Sequence, residues 1–210
     1  MKAFIFSTLI LATAASCNAQ QVTSLPEPDM QRQTLTVMET FKQRRSERAF
    51  SSKAMSEQDL ADLLWAAQGK NRADGHITSP TAMNKQEILL YVFSAKEVSL
   101  YNPQDNTLKR VAEGDHRGIV AGRQESVKAA PVILLMVADM DKFGSSDERA
   151  KTMVAADAGI VSQNINIFCS AAGYATVTRA TMDEPAIRQL LGLTDKQLPI
   201  LNNPVGARAE

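Results

Sequence analysis

The order of apolar and polar side chains along the chain predicts a mixture of helices and strands. Apolar residues spaced three or four apart predict helices at 34–45, 56–70, 122–130, 147–173 and 184–192. Short apolar runs bounded by turn residues predict strands at 88–95, 132–139 and 174–180, a hairpin at 98–112, and a strand at the carboxyl terminus. Because the helices are interleaved with hairpins and do not alternate strictly with strands, the pattern favours an α+β fold.

Three of these segments stand out from the rest. The run 132–139 is almost wholly apolar, which is typical of a strand buried on both faces. The helix 147–173 is apolar on most sides and rich in Ala and Gly, so we expect it at the centre of a domain or of a dimer. The polar loop 71–87 is long for a connection in a compact domain, and loops of that length are usually functional.

The amino-terminal residues have the pattern of an export signal. One lysine precedes an apolar run that ends in small residues, which predicts a secretory signal at 1–19, a linker at 20–33 and a domain at 34–210. Two processing routes are open, namely cleavage after Ala19 and acylation of Cys17 as the first residue. The apolar run is too short to span a membrane as a mature helix. We therefore expect a protein outside the cytoplasm, either periplasmic or anchored to a membrane through a lipid.

Composition and motifs narrow the class of protein further. Lys and Arg together number 23, as do Asp and Glu, so no overall field attracts nucleic acid. The chain has no GxSxG, P-loop or GxGxxG motif and no metal-type histidine spacing, which argues against a serine hydrolase, a kinase or a zinc enzyme. Cys17 and Cys169 are the only cysteines, so a disulfide framework is not expected. An enzyme with this sequence would rely on a bound cofactor for its chemistry.

One local cluster of positive charge, in "RRSERAF", therefore needs a local explanation. Arg44, Ser46 and Arg48 alternate along the chain, and in an extended segment residues two apart point the same way. Two guanidinium groups with a hydroxyl between them suit a phosphate group, since each arginine can donate two parallel hydrogen bonds. The alternative is a solvated basic helix end that complements the helix dipole.

The arginine motif is followed, in order, by "DLLWAAQGKNR", "PTAMNKQEILLYV", "VKAAPVILLMVAD", "DAGIVSQNINIFCSAAGYATVTRA" and "PVGARAE". This succession resembles the nitroreductase family of FMN-dependent flavoproteins, from about Gln43 to the carboxyl terminus. The stretch "VSLYNPQDNTLKRVAEGDHR" further resembles the branch of the SagB-type dehydrogenases, which oxidise azoline rings in peptides. The resemblance implies a nitroreductase-like α+β fold, with a central, mostly antiparallel sheet flanked by helices and one long central helix at the interface of a homodimer.

The resemblance also implies which residues bind FMN. The family's Arg-x-Ser-x-Arg element, which holds the FMN phosphate, corresponds to Arg44, Ser46 and Arg48, with Arg45 beside them. A family loop that contacts the flavin from the other subunit corresponds to the following residues, with threonine in place of the family's serine: Pro80, Thr81, Ala82 and Asn84.

Further contacts implied by the resemblance come from the second half of the chain. The backbone of Thr178, Arg179 and Ala180 corresponds to the strand whose N–H groups face the flavin ring, although the family's usual Pro and Glu-Gly are missing here. Gln124 is a candidate for the pyrimidine end of the ring. Arg208 is a candidate for the phosphate, and the alternative is a frayed tail.

Three aromatic residues are candidate covers for the outer flavin face: Trp65, Tyr101 and Phe143. We expect Asp157 to bind backbone groups and not to act as a catalytic acid.

In function, the resemblance implies an exported oxidoreductase that transfers hydride between a donor, which could be NAD(P)H, and a small organic acceptor. No catalytic side chain is assigned, because the flavin carries the chemistry. Two alternatives stay open: a flavin-binding protein with little turnover, since nicotinamide donors are scarce outside the cytoplasm, and a SagB-like dehydrogenase that oxidises a peptide-derived ring.

Overall fold

The computed structural model describes residues 21–209. The predicted signal at 1–19, with Cys17, lies outside this range. Seven strands form one sheet in the order β1-β4-β3-β2-β5-β7-β6, and every neighbouring pair of strands is antiparallel. The strands are β1 (Val22–Ser24), β2 (Ile88–Ser94), β3 (Glu97–Asn102), β4 (Thr107–Glu113), β5 (Val132–Asp139), β6 (Tyr174–Thr176) and β7 (Gln197–Ala207).

Helices cover both faces of the sheet, and the predicted α+β fold is confirmed. They are α1 (Val37–Gln43), α2 (Glu57–Gln68), α3 (Arg117–Ala121), α4 (Glu125–Lys128), α5 (Met140–Phe143), α6 (Glu148–Ala172) and α7 (Glu184–Leu191). Among the residues that the structure describes, none of these helices is long and apolar enough to cross a membrane.

Strands β2 and β5 are inner strands of the sheet, and their alternate side chains enter two separate cores. One face packs against α2 and α6 through Leu90, Leu134 and Met136, and the other packs towards α3 and α7 through Phe93 and Leu135. Because successive side chains of a strand point to opposite faces, a strand buried on both sides is apolar at every position. This accounts for the unbroken apolar run of β5.

The long helix α6 has well-defined ends. The carboxylate of Asp147 accepts a hydrogen bond from the Ala150 N–H at 2.7 Å and caps the first turn. Gly173 ends the helix in the left-handed conformation at φ 83°. The helix predicted at 122–130 is present in a shorter form as α4, and the preceding helix α3 was not predicted. Gly122 separates the two, because its φ of 60° and ψ of −126° interrupt the helical path.

The sequence predicts a helix at 34–45 with Leu35, Met38 and Phe41 on one apolar face, whereas α1 is shorter and buries a different side. Its buried residue is Thr40, whereas Val37, Met38 and Phe41 are 70%, 77% and 56% exposed. The helix is held at its start by a capping box, in which Thr36 and Glu39 bind each other's backbone N–H groups. The apolar face that the sequence predicted is therefore present but uncovered in a single chain.

The described part of the predicted linker is packed on the domain. Strand β1 pairs with β4 at the sheet edge, and Leu25 is buried in the core. The Asp29 N–H donates to the Asp62 carboxylate at 2.8 Å, and the guanidinium of Arg32 pairs with Asp59 and Asp62. The polar composition of this segment reflects anchoring by side chains at the protein surface, so residues 21–33 do not form a free tether.

Candidate functional site

The arginine motif lies in an irregular, extended segment between α1 and α2. The N–H of Glu47 donates to the Thr176 carbonyl at 2.9 Å, which ties the segment to the end of β6. Arg44, Ser46 and Arg48 are exposed, whereas Glu47 is half-buried. In the described part of the chain, Arg44 and Arg48 have no carboxylate partner. The extended conformation that the alternation requires is thus present, and two guanidinium groups are left to bind an anion.

Arg208 joins this segment from the other end of the chain. A β-bridge pairs Arg208 with Phe50, and the guanidinium Nε lies 3.2 Å from the Glu47 carboxylate, which also pairs with Arg45 at 3.0 Å. The Arg208 Nε is buried, and its direction does not give a hydrogen bond to Glu47. Arg208 is therefore part of the folded site and not a frayed tail. We refer to Arg44, Arg45, Arg48 and Arg208 as the arginine cluster.

Within the cluster, Arg45 and Arg208 pair with the same carboxylate, that of Glu47. Counted over residues 21–209, the four arginines and Glu47 leave a formal excess of three positive charges. A surplus of this kind costs little while the groups are exposed to water. It also gives a bound phosphate several charge-assisted donors in one place.

From the arginine cluster, residues 174–182 run in an extended path to a cavity of about 620 Å³. Five residues from Thr176 to Thr181 span roughly 16 Å at the rise of a strand. The cavity is lined by two groups of residues, one from α3 and its connection to α4 and one from the start of α7 and the segment before it; they include Gly122, Arg123, Gln124, Thr181, Met182 and Asp183. The path thus connects a positively charged end to an open cavity that has both polar and apolar lining residues.

The side chain of Arg179 lies behind this cavity and is 6% exposed. All of its contacts are neutral acceptors: Gln124 Oε1 at 3.1 Å, Asn202 Oδ1 at 2.7 Å, Val120 O at 3.2 Å, Ala121 O at 2.9 Å and Thr181 Oγ1 at 3.2 Å. Burial lowers the pKa of this guanidinium, and the positive charge of Arg48 adds to the effect. Sequence reasoning had pointed to the backbone of this residue and not to its side chain.

The backbone of the same segment has free donors at alternate positions. The Arg179 N–H donates to the Asn202 carbonyl at 2.8 Å, so the ring contact predicted for its backbone cannot be made by that group. Within residues 21–209, the N–H groups of Thr178 and Ala180 have no acceptor, and both residues are exposed. The hydroxyl of Thr178 is 2.6 Å from that of Ser162 on α6, which fixes the strand against the long helix.

The loop that contains Pro80 is held in a strained conformation. Met83, Asn84 and Gln86 have φ values of 55°, 53° and 50°, and each such non-glycine residue costs roughly 1 kcal/mol or more. The Gln86 N–H donates to Thr81 Oγ1 at 2.8 Å, and the Gln86 side chain bonds Asn84. Strain that is maintained by surrounding contacts is common at binding sites.

Two buried carboxyl groups lie beneath this loop. Asp157 of α6 accepts the Ala82 N–H at 2.8 Å, as expected for a residue that binds backbone groups. Glu87 is 0% exposed, and neither of its carboxyl oxygens has a hydrogen-bond donor in the described part of the chain. Burial, together with the neighbouring Asp157, raises the pKa of Glu87 to about 7. We call these two residues the acid pair; with its pKa raised to about 7, Glu87 keeps its proton as the pH rises towards neutral.

The three aromatic candidates do not cover an open site in this chain. Tyr101 and Phe143 are 3% and 4% exposed and belong to the hydrophobic core. Trp65 is half-buried, and its Nε1 donates to the Lys70 carbonyl at 3.1 Å. Aromatic residues are as common in cores as in binding sites, and the sequence could not separate the two.

Comparison with known proteins identifies the family of this fold. The model of the family described as "Nitroreductase family" matches residues 41–206. This chain belongs to the nitroreductase family. The match begins just before the arginine motif and ends two residues before Arg208, so it spans every part of the site described above except Arg208.

Two relatives extend this nitroreductase match over most of the chain. A crystal structure of a protein named as a nitroreductase from Ralstonia eutropha has 29% sequence identity and a TM-score of 0.84, and the alignment covers 97% of each chain. A protein of Methanocaldococcus jannaschii, also named as a nitroreductase, is 26% identical over 180 residues, which are 80% of this chain and 88% of that protein.

A third protein shares the nitroreductase fold at lower sequence identity. A Staphylococcus epidermidis protein named as an NAD(P)H:FMN oxidoreductase has a TM-score of 0.65 and 14% identity, over 85% of this chain and 90% of that one. At this identity the likeness is one of fold. Family membership itself makes the chain a nitroreductase-family oxidoreductase and implies a flavin cofactor.

The residues of this nitroreductase suit a flavin nucleotide with a phosphate tail. Arg44 and Arg48 lack carboxylate partners in the described chain, and the Arg208 Nε is a buried donor without a hydrogen bond. The Thr178 and Ala180 N–H groups can donate to ring atoms on the path towards the cavity. A charged end for the phosphate and a row of neutral donors for the ring are the two features that such a ligand needs.

The loop at 80–86 does not join this constellation within one chain. It meets α6 at Asp157, whereas the arginine cluster lies near the other end of the helix, where the Ser170 hydroxyl donates to the Thr40 carbonyl. Thirteen residues of helix separate these contacts, or roughly 20 Å at 1.5 Å per residue. The predicted site residues therefore form two groups in the single chain.

Proposed function

We propose that this protein is an FMN-dependent oxidoreductase that works as a homodimer. The observation that carries the proposal is the arginine cluster, with its surplus of three positive charges, at the start of an extended segment with free N–H donors. A ligand that suits this arrangement has a dianionic end and a planar, acceptor-rich end. FMN has both, and a dinucleotide would need a second binding region.

Each part of the site would hold a different part of the cofactor. Arg44, Ser46, Arg48 and Arg208 bind the phosphate, and the N–H groups of Thr178 and Ala180 donate to the ring edge. Gln124 donates from its amide to the pyrimidine end. When bound, FMN supplies hydride transfer between a donor and an acceptor. The side chains bind, orient and shield it, and none of them is required as a catalytic acid or base.

The dimer is supported by two features of the single chain. Helix α1 exposes Val37, Met38 and Phe41, which in a monomer would place an apolar patch beside the arginine cluster. The loop at 80–86 is roughly 20 Å from the arginine cluster along α6. A second copy packed antiparallel along α6 would cover the α1 face and place its own loop near the first copy's cofactor, and the exposed Met83, at 71%, would then be buried.

The absorption spectrum of the purified protein tests the cofactor. We expect flavin bands near those of FMN, or their appearance when FMN is added to the apoprotein, with release of FMN and not of FAD on denaturation. A protein without these bands that also takes up no FMN would refute the proposal.

The oligomeric state tests the dimer. We expect the wild-type protein to sediment as a dimer and the Met38→Lys, Phe41→Lys double variant to sediment as a folded monomer, because two like charges would be buried without partners. Lys53→Asp, at another exposed position, is the matched control and should stay dimeric. A monomeric wild-type protein would contradict the dimer. The FMN proposal would still be tested separately by the absorption spectrum.

The electron donor and the acceptor are a further part of the proposal. We propose NAD(P)H as donor and a small organic acceptor, in line with the name of the Staphylococcus epidermidis neighbour. A SagB-like oxidation of a peptide-derived ring would reduce the flavin without nicotinamide, and it rests on the stretch 98–117. Stopped-flow reduction by NADH, by NADPH and by an azoline peptide distinguishes these donors; reduction by dithionite alone would favour a flavin-binding protein with little turnover.

Export is proposed from residues 1–19 alone. The intact mass of the mature protein tests it: loss of 19 residues indicates cleavage after Ala19, and a diacylglyceryl group on Cys17 indicates a lipid anchor. An unprocessed chain would refute export through this signal.

A further inference from the structure

Arg179 is buried without a counter-ion, which is unusual for a charged side chain. It is 6% exposed, its contacts are the neutral acceptors described above, and no carboxylate of residues 21–209 pairs with it. Isolated charges are costly inside a protein because they lose their hydration. The hydrogen bonds offset part of this cost, but an uncompensated positive charge remains beside the cavity.

The contacts of Arg179 also fix the polarity of its neighbours. A guanidinium can only donate hydrogen bonds, so the oxygen of the Gln124 amide must face Arg179, at 3.1 Å from Nε. The Gln124 NH₂ group is then directed away from Arg179. In the same way the Thr181 oxygen accepts from Arg179 Nη2 at 3.2 Å, which leaves the hydroxyl hydrogen to donate elsewhere. Gln124 and Thr181 both line the cavity.

One carboxylate at the cavity is already engaged. Asp183 lines it as well, but its Oδ1 accepts the Ala186 N–H at 3.2 Å and caps α7. Asp183 keeps its negative charge, but Arg123 also lines the cavity and carries the opposite formal charge. The wall nearest Arg179, formed by Gln124 and Thr181, therefore presents donors and the positive charge of Arg179. Such a wall binds a group that has hydrogen-bond acceptors and gains negative charge.

We propose that Arg179 is a positioning residue that sets Gln124 and Thr181 as donors towards the cavity and stabilises the electron-rich N1–C2=O edge of the flavin. This inference rests on the proposed FMN site. Reduction by two electrons with uptake of one proton leaves the ring system one unit more negative. A fixed positive charge behind two oriented donors stabilises that state more than the oxidised one, so Arg179 raises the reduction potential of the bound cofactor.

The test is the two-electron reduction potential of bound FMN, measured by equilibration with a reference dye at pH 7. In Arg179→Met we expect the preference for reduced over oxidised FMN to fall about tenfold, which moves the potential about 30 mV more negative. Arg179→Lys keeps the positive charge, so its reduction potential should lie close to that of the wild type. Arg110→Met removes an arginine that pairs with Glu113 on β4 and should leave the potential unchanged.

A second variant keeps the proposal falsifiable if Arg179→Met does not fold. Gln124→Glu places a carboxylate against Arg179, so it neutralises the charge and removes the amide donor while it retains a partner for the guanidinium. We expect its potential to shift in the same direction as that of Arg179→Met. An unchanged potential in flavin-loaded Gln124→Glu would overturn the inference and leave the FMN site intact. A wild-type protein with no affinity for FMN would instead overturn both.

Discussion

The arginine cluster and the acid pair are both concentrations of like charge, yet they differ in burial and in what neutralises them. The cluster is mostly exposed, and water screens its surplus until an anion binds. The acid pair is 0% and 6% exposed, so water cannot stabilise two negative charges there, and burial raises the pKa of Glu87 to about 7. The exposed cluster should therefore respond to a ligand, and the buried pair to pH.

Replacement of Arg44 and Arg48, which have no carboxylate partner within residues 21–209, should have the largest effect, and it should act on FMN affinity. Each charge-assisted contact to the phosphate contributes about 1.5–3 kcal/mol, so Arg44→Ala with Arg48→Ala should weaken FMN binding by roughly 100-fold or more. The stability of the apoprotein should change by less than about 0.5 kcal/mol, because both side chains are exposed. Fluorescence titration with FMN measures the affinity. Lys53→Ala is the control, and equal binding by the double variant would show that the cluster does not hold the phosphate.

The raised pKa of Glu87 in the acid pair predicts that the free energy of unfolding falls as the pH rises. The pKa of Glu87 increases from 4.5 to about 7 on folding, so between these values the folded protein holds a proton that the unfolded chain has released. Raising the pH across this window lowers the free energy of unfolding by an amount on the order of 3 kcal/mol, and above it this group causes no further loss.

Urea denaturation at pH 5 and pH 8 measures this dependence. Glu87→Gln mimics the protonated acid and should be less dependent on pH than the wild type, while Glu57→Gln, at an exposed position, should behave like the wild type. Lys142, which donates to the Gln86 carbonyl at 2.6 Å, is the nearby cation that opposes the shift. An identical pH dependence in Glu87→Gln and wild type would contradict the raised pKa of Glu87 in the folded protein.

Replacement of Asp157 tests how much its hydrogen bond to the loop at 80–86 contributes to stability. Asp157→Ala removes the acceptor of the Ala82 N–H and should cost about 1.5–3 kcal/mol of stability, because a hydrogen bond to a charged group is lost. Asp157→Asn keeps an oxygen at the same place and should lose less. Urea denaturation at pH 6 compares the two, and equal losses would mean that the hydrogen bond to the loop contributes nothing.

Of the four predicted changes, replacement of Ser46 should have the smallest effect, and it should act on FMN affinity. It lies between Arg44 and Arg48 and is exposed, and a neutral hydrogen bond to phosphate contributes about 0.5–1.5 kcal/mol. Ser46→Ala should therefore weaken FMN binding several-fold, with unchanged stability. Titration with FMN measures it beside the double arginine variant. A loss as large as that of the double variant would mean that the hydroxyl, and not charge, dominates the binding.

Much of the fold could be predicted from local patterns. Helix α2 begins after Ser56 and ends at Gly69, as the sequence indicated, and a Cβ at Gly69 would lie 2.3 Å from the Trp65 ring. The runs that became β2 and β5 were also evident. Capping residues and strands buried on both faces leave a signal in adjacent positions, and such signals do not depend on the rest of the chain.

The site was predicted only where its residues are close in sequence. The arginine motif could be found because alternation in an extended segment places side chains together. Glu87 was missed, since a carboxylate ahead of an apolar strand looks like a solvated strand end. The side chain of Arg179 was also missed, since its partners come from α3, α4 and β7.

The sequence by itself determined the α+β class, the ends of α6 and the position of the arginine motif, because each depends on neighbouring residues and their intrinsic conformational preferences. Only the tertiary structure decided that Arg208 meets Glu47, that Asp157 lies against Glu87, and that Arg179 is buried behind a cavity. These contacts join residues distant along the chain. The protonation and polarity of the groups depend on burial, which no local pattern specifies.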